Sequence, residues 1–436
     1  MYFSSFYEND VTPPLGSIIP GDFKARYNER VADKLYLRAF IIYDGTEYIA
    51  VISIDACGLT KDITDSIKKR VMQFIPLSYD QIMITATHTH GGGPTLNWGE
   101  EVIRNEFYID MLIIKAADSL ICAYHNMKPA ELKTGVNELN SMSYIRIYRM
   151  KDGKLKTNPG VGNPNVIEPI GEIDPSVTVL TVFQNKRPVG VLVNFSCHPA
   201  IVANVVTSAD YIGVLSSELK LKYGNDFVTV FINGACGNIN HINVFDPKTV
   251  KPDRYITIGK ALSDKVTEII DNSATLSGKL NSQSKTIKGK IRKPSAEDLS
   301  YALKHFESLG DELYNSSPGT VGYINTFFAL QAFKIASDKR SYLDIYLQIL
   351  NIGRLRIFCI PCQMFVEFGR ILKQNSTAPI NMVSIFSNDY LGYVPTAECM
   401  TEGVYEARLA TTSMLHSNTG YEICNSLADI SLLEYT

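Results

Sequence analysis

The sequence predicts an α/β fold with a mixed sheet and some α+β character, built as one large catalytic domain whose active site lies at strand ends. Apolar runs typical of buried strands are interspersed with helical runs, without strict βαβ alternation. Several of the strands lead directly into residues suited to chemistry, and ligands collect at strand ends in sheet-based folds. The chain has 436 residues, 45% of them hydrophobic and 20% charged, which is a globular composition.

The first clear elements are a β-hairpin and a helix. Two β-rich runs, 35–42 and 48–55, flank Tyr43-Asp44-Gly45-Thr46-Glu47, and an Asp-Gly step between apolar runs is a strong hairpin signal. Apolar residues then recur with helical spacing between Ile63 and Phe74. A short apolar strand, Gln81–Ile84, follows, and it precedes a long helix over 101–124.

The remaining elements are predicted from the same two periodicities. The predicted strands cover 143–149, 176–183, 189–195, 227–232, 344–350 and 355–360. The predicted helices cover 211–223, a stretch around Ile258–Ile269, 296–308, 326–336 and 365–372. The loop at 158–164 is rich in Gly, Pro and Asn and is predicted to be an irregular surface segment or a lid. The segment 273–294 is predicted to be a linker or an edge strand, and it is a possible subdomain boundary within 1–436.

Charge and composition exclude several functional classes. The net charge is −3 and the basic residues are scattered, so we expect no binding of nucleic acid. No run approaches the roughly 18 apolar residues of a membrane-spanning helix, so we expect no insertion into a membrane. The N-terminus lacks the pattern of a secretory signal, and the 8 cysteines form no dense framework, which predicts a cytoplasmic protein. A small-molecule substrate is expected, and the oligomeric state stays open.

The most informative motif is Thr87-His88-Thr89-His90, which follows the strand Gln81–Ile84 and precedes three glycines. Residues two apart on an extended chain point the same way, and histidine is the commonest metal ligand. A third histidine, His198, follows another strand in the motif Cys197-His198-Pro199. Zinc catalysis needs about three protein ligands and an open position for water. The three histidines therefore indicate either a metal site or a set of structural histidines.

Nearby carboxylates could complete a metal site as oxygen ligands or general bases. Asp55 ends the strand of the first hairpin, Asp210 directly precedes the helix predicted over 211–223, and Glu367 lies in the helix over 365–372. An aspartate beside a matched motif could also accept a hydrogen bond from a metal-bound histidine and fix its tautomer.

Motifs along nearly the whole chain resemble, in the same order, the catalytic N-terminal domain of the neutral/alkaline non-lysosomal ceramidase family. The matching stretches are Asp10-Val11-Thr12-Pro13-Pro14-Leu15-Gly16, Val51-Ile52-Ser53-Ile54-Asp55, Thr87-His88-Thr89-His90-Gly91, Cys197-His198-Pro199, Gly234-Ala235-Cys236-Gly237-Asn238-Ile239-Asn240 and Leu391-Gly392-Tyr393-Val394-Pro395-Thr396. The resemblance implies an amide hydrolase that uses one Zn²⁺.

The resemblance also implies roles for individual residues. The zinc ligands would be His88, His198, the residue at position 363 and Tyr393. His90 would lie beside the metal and assist proton transfer or hold the substrate oxygen. An arginine in the strand after the first long helix lines the family's site, and Arg146 is the best match, with Arg149 as the alternative.

Two departures from the family pattern affect the expected chemistry. The family has a glutamate where this chain has Gln363, and a neutral amide compensates none of the Zn²⁺ charge, so Glu367 is a candidate replacement. The family's serine nucleophile corresponds to Asn240, which cannot form an acyl intermediate. We therefore expect a metal-activated water to attack directly, with Asn240 and loop amides near Gly237 as oxyanion donors. We also expect the chain to lack the family's additional C-terminal β domain, which makes a true ceramidase activity less expected.

Two further alternatives are left open by the residues. A metal-free ligand-binding or regulatory relative would also be compatible with Gln363 and Asn240. The motif Cys359-Ile360-Pro361-Cys362 could form a redox pair at a helix N-terminus. The preferred interpretation of the cysteines is that both are small buried residues, because the chain contains no thioredoxin-like unit.

Overall fold

The computed structural model describes residues 1–99, 101–202, 204–309 and 321–432. The strands of these residues are β1 (Tyr2–Asp10), β2 (Ile18–Ile19), β3 (Arg26–Tyr27), β4 (Arg30–Val31), β5 (Tyr36–Tyr43), β6 (Tyr48–Ile54), β7 (Ile82–Ala86), β8 (Lys128–Glu138), β9 (Tyr144–Ile145), β10 (Ile147–Met150), β11 (Leu155–Thr157), β12 (Val166–Pro169), β13 (Ser176–Gln184), β14 (Arg187–Phe195), β15 (Val206–Thr207), β16 (Val228–Asn233), β17 (Ile239–Asn240), β18 (Ala274–Leu276), β19 (Leu280–Lys290), β20 (Tyr342–Ile352), β21 (Leu355–Cys359), β22 (Gln363–Met364), β23 (Ile380–Ser384) and β24 (Tyr393–Val394). The helices are α1 (Lys61–Phe74), α2 (Glu106–His125), α3 (Asp210–Tyr223), α4 (Arg254–Asp271), α5 (Ala296–Leu309), α6 (Val321–Ser337), α7 (Val366–Asn375), α8 (Ala397–Glu402) and α9 (Thr419–Leu432).

A large mixed sheet forms the centre of the molecule and confirms the predicted fold class. Its strand order is β16-β14-β13-β8-β1-β5-β6-β7, and β18 pairs with β8. The predicted hairpin is present as the antiparallel pair β5–β6. The pairs β6–β7 and β14–β16 are parallel, so each pair ends at one common edge of the sheet. These four strands are the ones that lead into the motifs of the candidate site.

The two ends of the large sheet approach each other, although β7 and β16 are farthest apart in the strand order. Ser53 Oγ donates a hydrogen bond to the carbonyl of Phe231 at 2.6 Å, and Asn233 Nδ2 donates to the carbonyl of Thr87 at 3.1 Å. All four residues are buried. The sheet is therefore strongly curved, which brings His88, beyond β7, and His198, beyond β14, to the same side of the molecule.

A second sheet, in the order β19-β20-β21-β23, packs against this curved sheet. The predicted hairpin β20–β21 is antiparallel, and β21–β23 is parallel. The buried side chain of Asn194 joins the two sheets, because Nδ2 donates to the carbonyl of Val383 at 2.9 Å and Oδ1 accepts from its amide at 3.2 Å. The segment predicted as a linker or edge strand contains β18 and β19, and β19 is an edge strand of the second sheet.

The helices that precede and follow β7 in the chain, α1 and α2, form where the sequence predicts helices, but α2 begins later than predicted. Ile63, Ile67 and Val71 of α1 are buried on one face. The long helix α2 begins at Glu106 rather than near residue 101, because Asn105 caps it by accepting a hydrogen bond from the amide of Tyr108 at 2.9 Å. Within the residues that the structure describes, none of the helices is long and apolar enough to cross a membrane.

Candidate metal centre

His88 is held in an unusual backbone conformation at the end of β7. Its φ is 68°, in the left-handed region that few residues other than glycine adopt. Its Nδ1 lies 2.5 Å from the carbonyl oxygen of Cys57, and its ring stacks on Phe386 with a centroid distance of 4.0 Å. Because a carbonyl oxygen only accepts, Nδ1 carries the proton and Nε2 keeps its lone pair.

His198 faces His88 from the loop after β14. Its Nδ1 lies 3.3 Å from the carbonyl oxygen of Cys236, so the same argument leaves the lone pair on Nε2. The two Nε2 atoms are 3.1 Å apart, and both residues are buried. Two lone pairs that face each other at this distance repel unless a proton donor or a cation lies between them.

Gln363 supplies the third polar group at this point. Its amide nitrogen lies 3.3 Å from Nε2 of His88 and 3.4 Å from Nε2 of His198. The amide oxygen accepts a hydrogen bond from the hydroxyl of Tyr390 at 3.2 Å. Because a tyrosine hydroxyl can donate or accept, rotating the amide by half a turn would preserve this contact and turn its oxygen toward the histidines.

The three groups have the spacing of a tetrahedral zinc site. Zinc–nitrogen and zinc–oxygen bonds of about 2.0–2.1 Å imply distances of about 3.3 Å between neighbouring ligand atoms. The observed separations among His88, His198 and Gln363 are 3.1, 3.3 and 3.4 Å. The residues therefore fit a zinc ion without rearrangement of the backbone, with the amide oxygen of Gln363 turned inward.

The histidines of the centre are neutral. Burial lowers the pKa of His88 to about 3, and it lowers the pKa of His90 and of His198 well below the usual value. The neighbouring histidines and the charge of Arg146 lower the pKa values of His90 and His198 further. A neutral imidazole is the form that binds a metal ion.

Tyr393 is placed beside Gln363 by backbone pairing. Gln363 and Tyr393 are direct partners in the parallel pair β22–β24. The Tyr393 hydroxyl oxygen accepts a hydrogen bond from Nη2 of Arg146 at 3.1 Å, and Arg146 Nε donates to Oε1 of Glu406 at 2.6 Å. Burial raises the pKa of Tyr393, and the positive charge of Arg146 opposes this rise. Arg149, the alternative, lies in β10 and pairs instead with the exposed Glu398.

His90 lies beside the other two histidines and keeps one free nitrogen. Its ring centroid is 5.1 Å from that of His88 and 5.4 Å from that of His198. One nitrogen is engaged with the backbone of Gly21. Its Nε2 is buried and has no hydrogen-bond partner among the described residues. This nitrogen is thus available to a substrate or a water molecule.

Two of the expected site residues, Asn240 and Glu367, form hydrogen bonds with residues outside the centre. Nδ2 of Asn240 donates to Oδ1 of Asn158 at 3.0 Å, and Oδ1 of Asn240 accepts from the amide of His241 at 2.6 Å. Glu367 accepts hydrogen bonds from Nδ2 of Asn238 on both carboxylate oxygens, at 3.1 and 3.0 Å. The structure therefore engages Glu367 with Asn238, and the amide of Gln363 is the group that faces the histidines.

The roles expected of Asp55 and Asp210 in orienting a histidine are taken by backbone carbonyls. Asp55 forms a buried ion pair with Arg38, in which Nη1 donates to Oδ2 at 2.9 Å. Oδ2 of Asp210 accepts from the amides of Ile201 and Val202 at 2.8 Å each. Asp210 thus holds the loop that follows His198 and has no bond to the ring itself. A sequence pattern contains no information about which acceptor faces a ring nitrogen after folding.

Cys57 forms a second possible group of ligands with His88 and His90, whose ligand atoms lie within 4.8 Å of one another. Its thiol lies 4.0 Å from Nδ1 of His88, which already faces a carbonyl oxygen. Burial raises the pKa of Cys57 to about 12, which keeps the thiol protonated. We therefore regard the group formed by His88, His198 and Gln363 as the better site.

The cysteines of the motif Cys359-Ile360-Pro361-Cys362 are both buried and form no disulfide. Cys359 lies against the sulfur of Met83 at 3.1 Å, and burial raises the pKa of both thiols. A low thiol pKa is required of a redox-active pair. The preferred interpretation of these residues as small buried side chains is confirmed.

Phe386, Tyr390 and Cys57 contact the centre and were not among the predicted site residues. Phe386 and Tyr390 precede the matched stretch that begins at Leu391, and Cys57 follows Asp55. Their proximity to matched motifs is the one signal in the sequence that could have identified them.

Comparisons with known proteins identify the family and the fold of this chain. The family described as "Neutral/alkaline non-lysosomal ceramidase, N-terminal" matches residues 25–344. The structure of neutral ceramidase from Pseudomonas aeruginosa is similar, with a TM-score of 0.74 and 19% identity, and the similarity covers 99% of this chain and 74% of that chain. A structure titled "Ceramidase complexed with C2" has a TM-score of 0.73 and 18% identity, covering 100% of this chain and 75% of that chain. No curated protein matches the sequence.

Proposed function

The chain belongs to the neutral/alkaline non-lysosomal ceramidase family, and from this premise we propose that it is a zinc-dependent hydrolase of an amide or related bond in a small molecule. The observation that carries the proposal is the convergence of two histidine lone pairs and the Gln363 amide at separations of 3.1–3.4 Å. We further propose that the chain acts as a single catalytic domain, without ceramidase chemistry through a serine nucleophile.

In this proposal His88 and His198 would hold Zn²⁺ together with the Gln363 amide oxygen and the Tyr393 hydroxyl. A bound zinc ion would act as a Lewis acid and lower the pKa of water at the site. Arg146 keeps the Tyr393 oxygen in place through its 3.1 Å hydrogen bond. The buried pair Arg146–Glu406 fixes the guanidinium, so that Tyr393 is oriented before substrate binds.

The chain's own residues carry the proton transfers of amide hydrolysis. The attacking water adds to the carbonyl carbon and transfers one proton to the free Nε2 of His90. His90 then passes this proton to the leaving nitrogen as the carbon–nitrogen bond breaks, which yields a carboxylic acid and an amine. One N–H of Asn240 is engaged by Asn158, so the proposed donors to the developing oxyanion are its second N–H and backbone amides near Gly237.

The proposal is tested by the metal content and the hydrolytic activity of the intact protein. Protein purified without added metal, then loaded with zinc and dialysed, is expected to hold about one zinc ion per chain by elemental analysis. The loaded protein is then assayed against short N-acyl p-nitroanilides, whose cleavage releases a coloured amine. Absence of bound zinc together with no hydrolysis would overturn the proposal.

A metal-free ligand-binding relative is the second candidate function. It is favoured by one observation, the orientation of the Gln363 amide nitrogen toward both Nε2 atoms. An N–H group there would satisfy the histidine lone pairs without a cation. Under this alternative, zinc would not bind to the purified protein at micromolar concentration.

Replacing Gln363 by glutamate is expected to tighten zinc binding by about 10- to 100-fold, because a carboxylate adds a negative charge in contact with the cation. The affinity is measured by competition with a fluorescent chelator. Gln374→Glu is the matched control, since it adds the same charge at an exposed position of α7. Equal affinity of Gln363→Glu and the wild-type protein would show that this side chain does not contact the metal.

A further inference from the structure

Arg408 carries a partly buried positive charge without an acidic partner. Its guanidinium lies over the ring of Phe328 at 3.8 Å, and Nη2 donates to Oδ1 of Asn325 at 3.1 Å. Among the residues that the structure describes, no carboxylate lies within ion-pair distance of Arg408. Partly buried arginines are usually paired with an anion, and a guanidinium stacked on an aromatic ring is already ordered for bidentate binding of an oxyanion.

A groove of about 280 Å³ runs along this guanidinium. Its polar lining residues are Lys156 and Thr157 of β11 together with Asn325, Tyr405 and Arg408. The lining residues include two cations and no carboxylate. Lys156 is exposed and forms no ion pair with a described residue, so its ammonium group is free to contact a ligand in the groove.

The basic character continues beyond the groove. A neighbouring depression of about 580 Å³ is also lined by Lys156, together with Lys151 and Lys154 of the β10–β11 turn. Its one carboxylate, Asp152, accepts a hydrogen bond from the amide of Lys154 at 3.1 Å. The groove therefore has a positive potential at a site where the chain as a whole has a net charge of −3.

The groove is connected to the metal centre through two of its lining residues. The ring of Tyr405 packs edge-on against that of Tyr393 at 6.4 Å. Thr157 Oγ1 donates to Oε2 of Glu406 at 2.7 Å, and Oε1 of the same carboxylate binds Arg146. Both oxygens of Glu406 are thus occupied, and this carboxylate does not neutralise Arg408. A ligand bound in the groove would contact Tyr405, whose ring packs against that of the proposed zinc ligand Tyr393.

We propose that Arg408 and Lys156 form a subsite for an oxyanion, a carboxylate or a phosphate group, carried by the substrate of the metal centre. The substrate is then an anionic small-molecule amide. The assignment of the anion to the substrate rests on the proposed hydrolase function, whereas binding of an oxyanion in the groove does not. An exposed lysine attracts the anion and the stacked arginine binds it in a defined orientation.

The subsite is tested first by binding of inorganic phosphate, measured by isothermal titration calorimetry at low ionic strength. Arg408→Gln and Lys156→Gln are each expected to weaken binding by about tenfold, since each removes a charged hydrogen-bond donor. Lys69→Gln is the control, because Lys69 is an exposed lysine on α1. Lys156 is exposed, so this variant tests the site even if Arg408→Gln fails to fold. Equal binding by wild-type protein and both variants, or no binding by the wild-type protein, would overturn the subsite.

The source of the anion is tested with a matched pair of amides, N-succinyl- and N-acetyl-alanine p-nitroanilide, which differ by one carboxymethyl group. The succinyl compound is expected to have the higher kcat/KM, and Arg408→Gln and Lys156→Gln are expected to reduce this preference by about tenfold through KM. Equal kcat/KM values for the two compounds would overturn the assignment to the substrate. If neither compound is cleaved and the protein binds no zinc, the proposed function fails, and the phosphate titration still decides whether the subsite exists.

Discussion

His198→Ala is expected to reduce zinc affinity by at least about 100-fold and to abolish hydrolysis, because it removes one of the two neutral nitrogens that face each other in the centre. His198 is the better residue to replace, since the left-handed backbone of His88, with φ 68°, would strain an alanine at that position. Zinc is measured by elemental analysis after dialysis, and the hydrolytic rate is measured on the same sample.

The control for this variant is His125→Ala, which removes an exposed histidine at the end of α2. It is expected to keep the zinc content and the activity of the wild-type protein. A circular dichroism spectrum separates loss of metal from loss of the fold. Retention of zinc by folded His198→Ala protein would contradict the proposed ligand set.

Arg146→Met is expected to destabilise the protein by about 3–5 kcal/mol, which is the usual cost of leaving one member of a buried ion pair without its partner. The side chains of Arg146 and Glu406 are 9% and 0% exposed, and they are joined at 2.6 Å. The substitution also leaves the carbonyl of Gly237 without its 2.6 Å donor and Tyr393 without the hydrogen bond that orients it. The free energy of unfolding is measured by urea denaturation.

Arg149→Met is the matched control, since Arg149 is an arginine three residues further along the chain, in β10. Arg149 and Glu398 form an ion pair in which the side chains are 37% and 56% exposed, so its loss is expected to cost less than about 1 kcal/mol. A double variant, Arg146→Met with Glu406→Leu, should be less destabilised than Arg146→Met alone, because no buried charge remains unpaired. Similar losses of unfolding free energy in Arg146→Met and Arg149→Met would contradict the prediction that the buried pair of Arg146 stabilises the protein more than the exposed pair of Arg149.

The positions of most elements follow from the sequence because their signals are local. The hairpin β5–β6 was predicted from an Asp-Gly step between apolar runs, and α1 was predicted from its spacing of apolar residues. The boundary of α2 was misplaced by several residues, since a capping side chain such as Asn105 sets a helix start more directly than composition does. The curvature of the sheet could not be predicted, because it depends on contacts between β7 and β16, which are distant in sequence.

The candidate site was predicted less completely than the fold. The resemblance to the ceramidase family implied that the histidines, Tyr393 and the residue at position 363 lie together, but the identity of the groups that orient them depends on contacts made only after folding. Phe386 and Tyr390 are examples, since each meets the centre through an aromatic ring or hydroxyl that no short motif describes.

The sequence by itself determined the family, the alternation of strands and helices, and the two histidines that follow β7 and β14, because short motifs and periodicity are properties of contiguous residues. The tertiary structure alone decided that Arg146 rather than Arg149 is buried beside Tyr393, that Glu367 is engaged by Asn238, and that backbone carbonyls orient both histidines. Each of these outcomes depends on which polar groups are buried in the folded chain and must therefore find a hydrogen-bond partner. The possible partners are far apart in sequence, so no local sequence pattern can predict which of them is chosen.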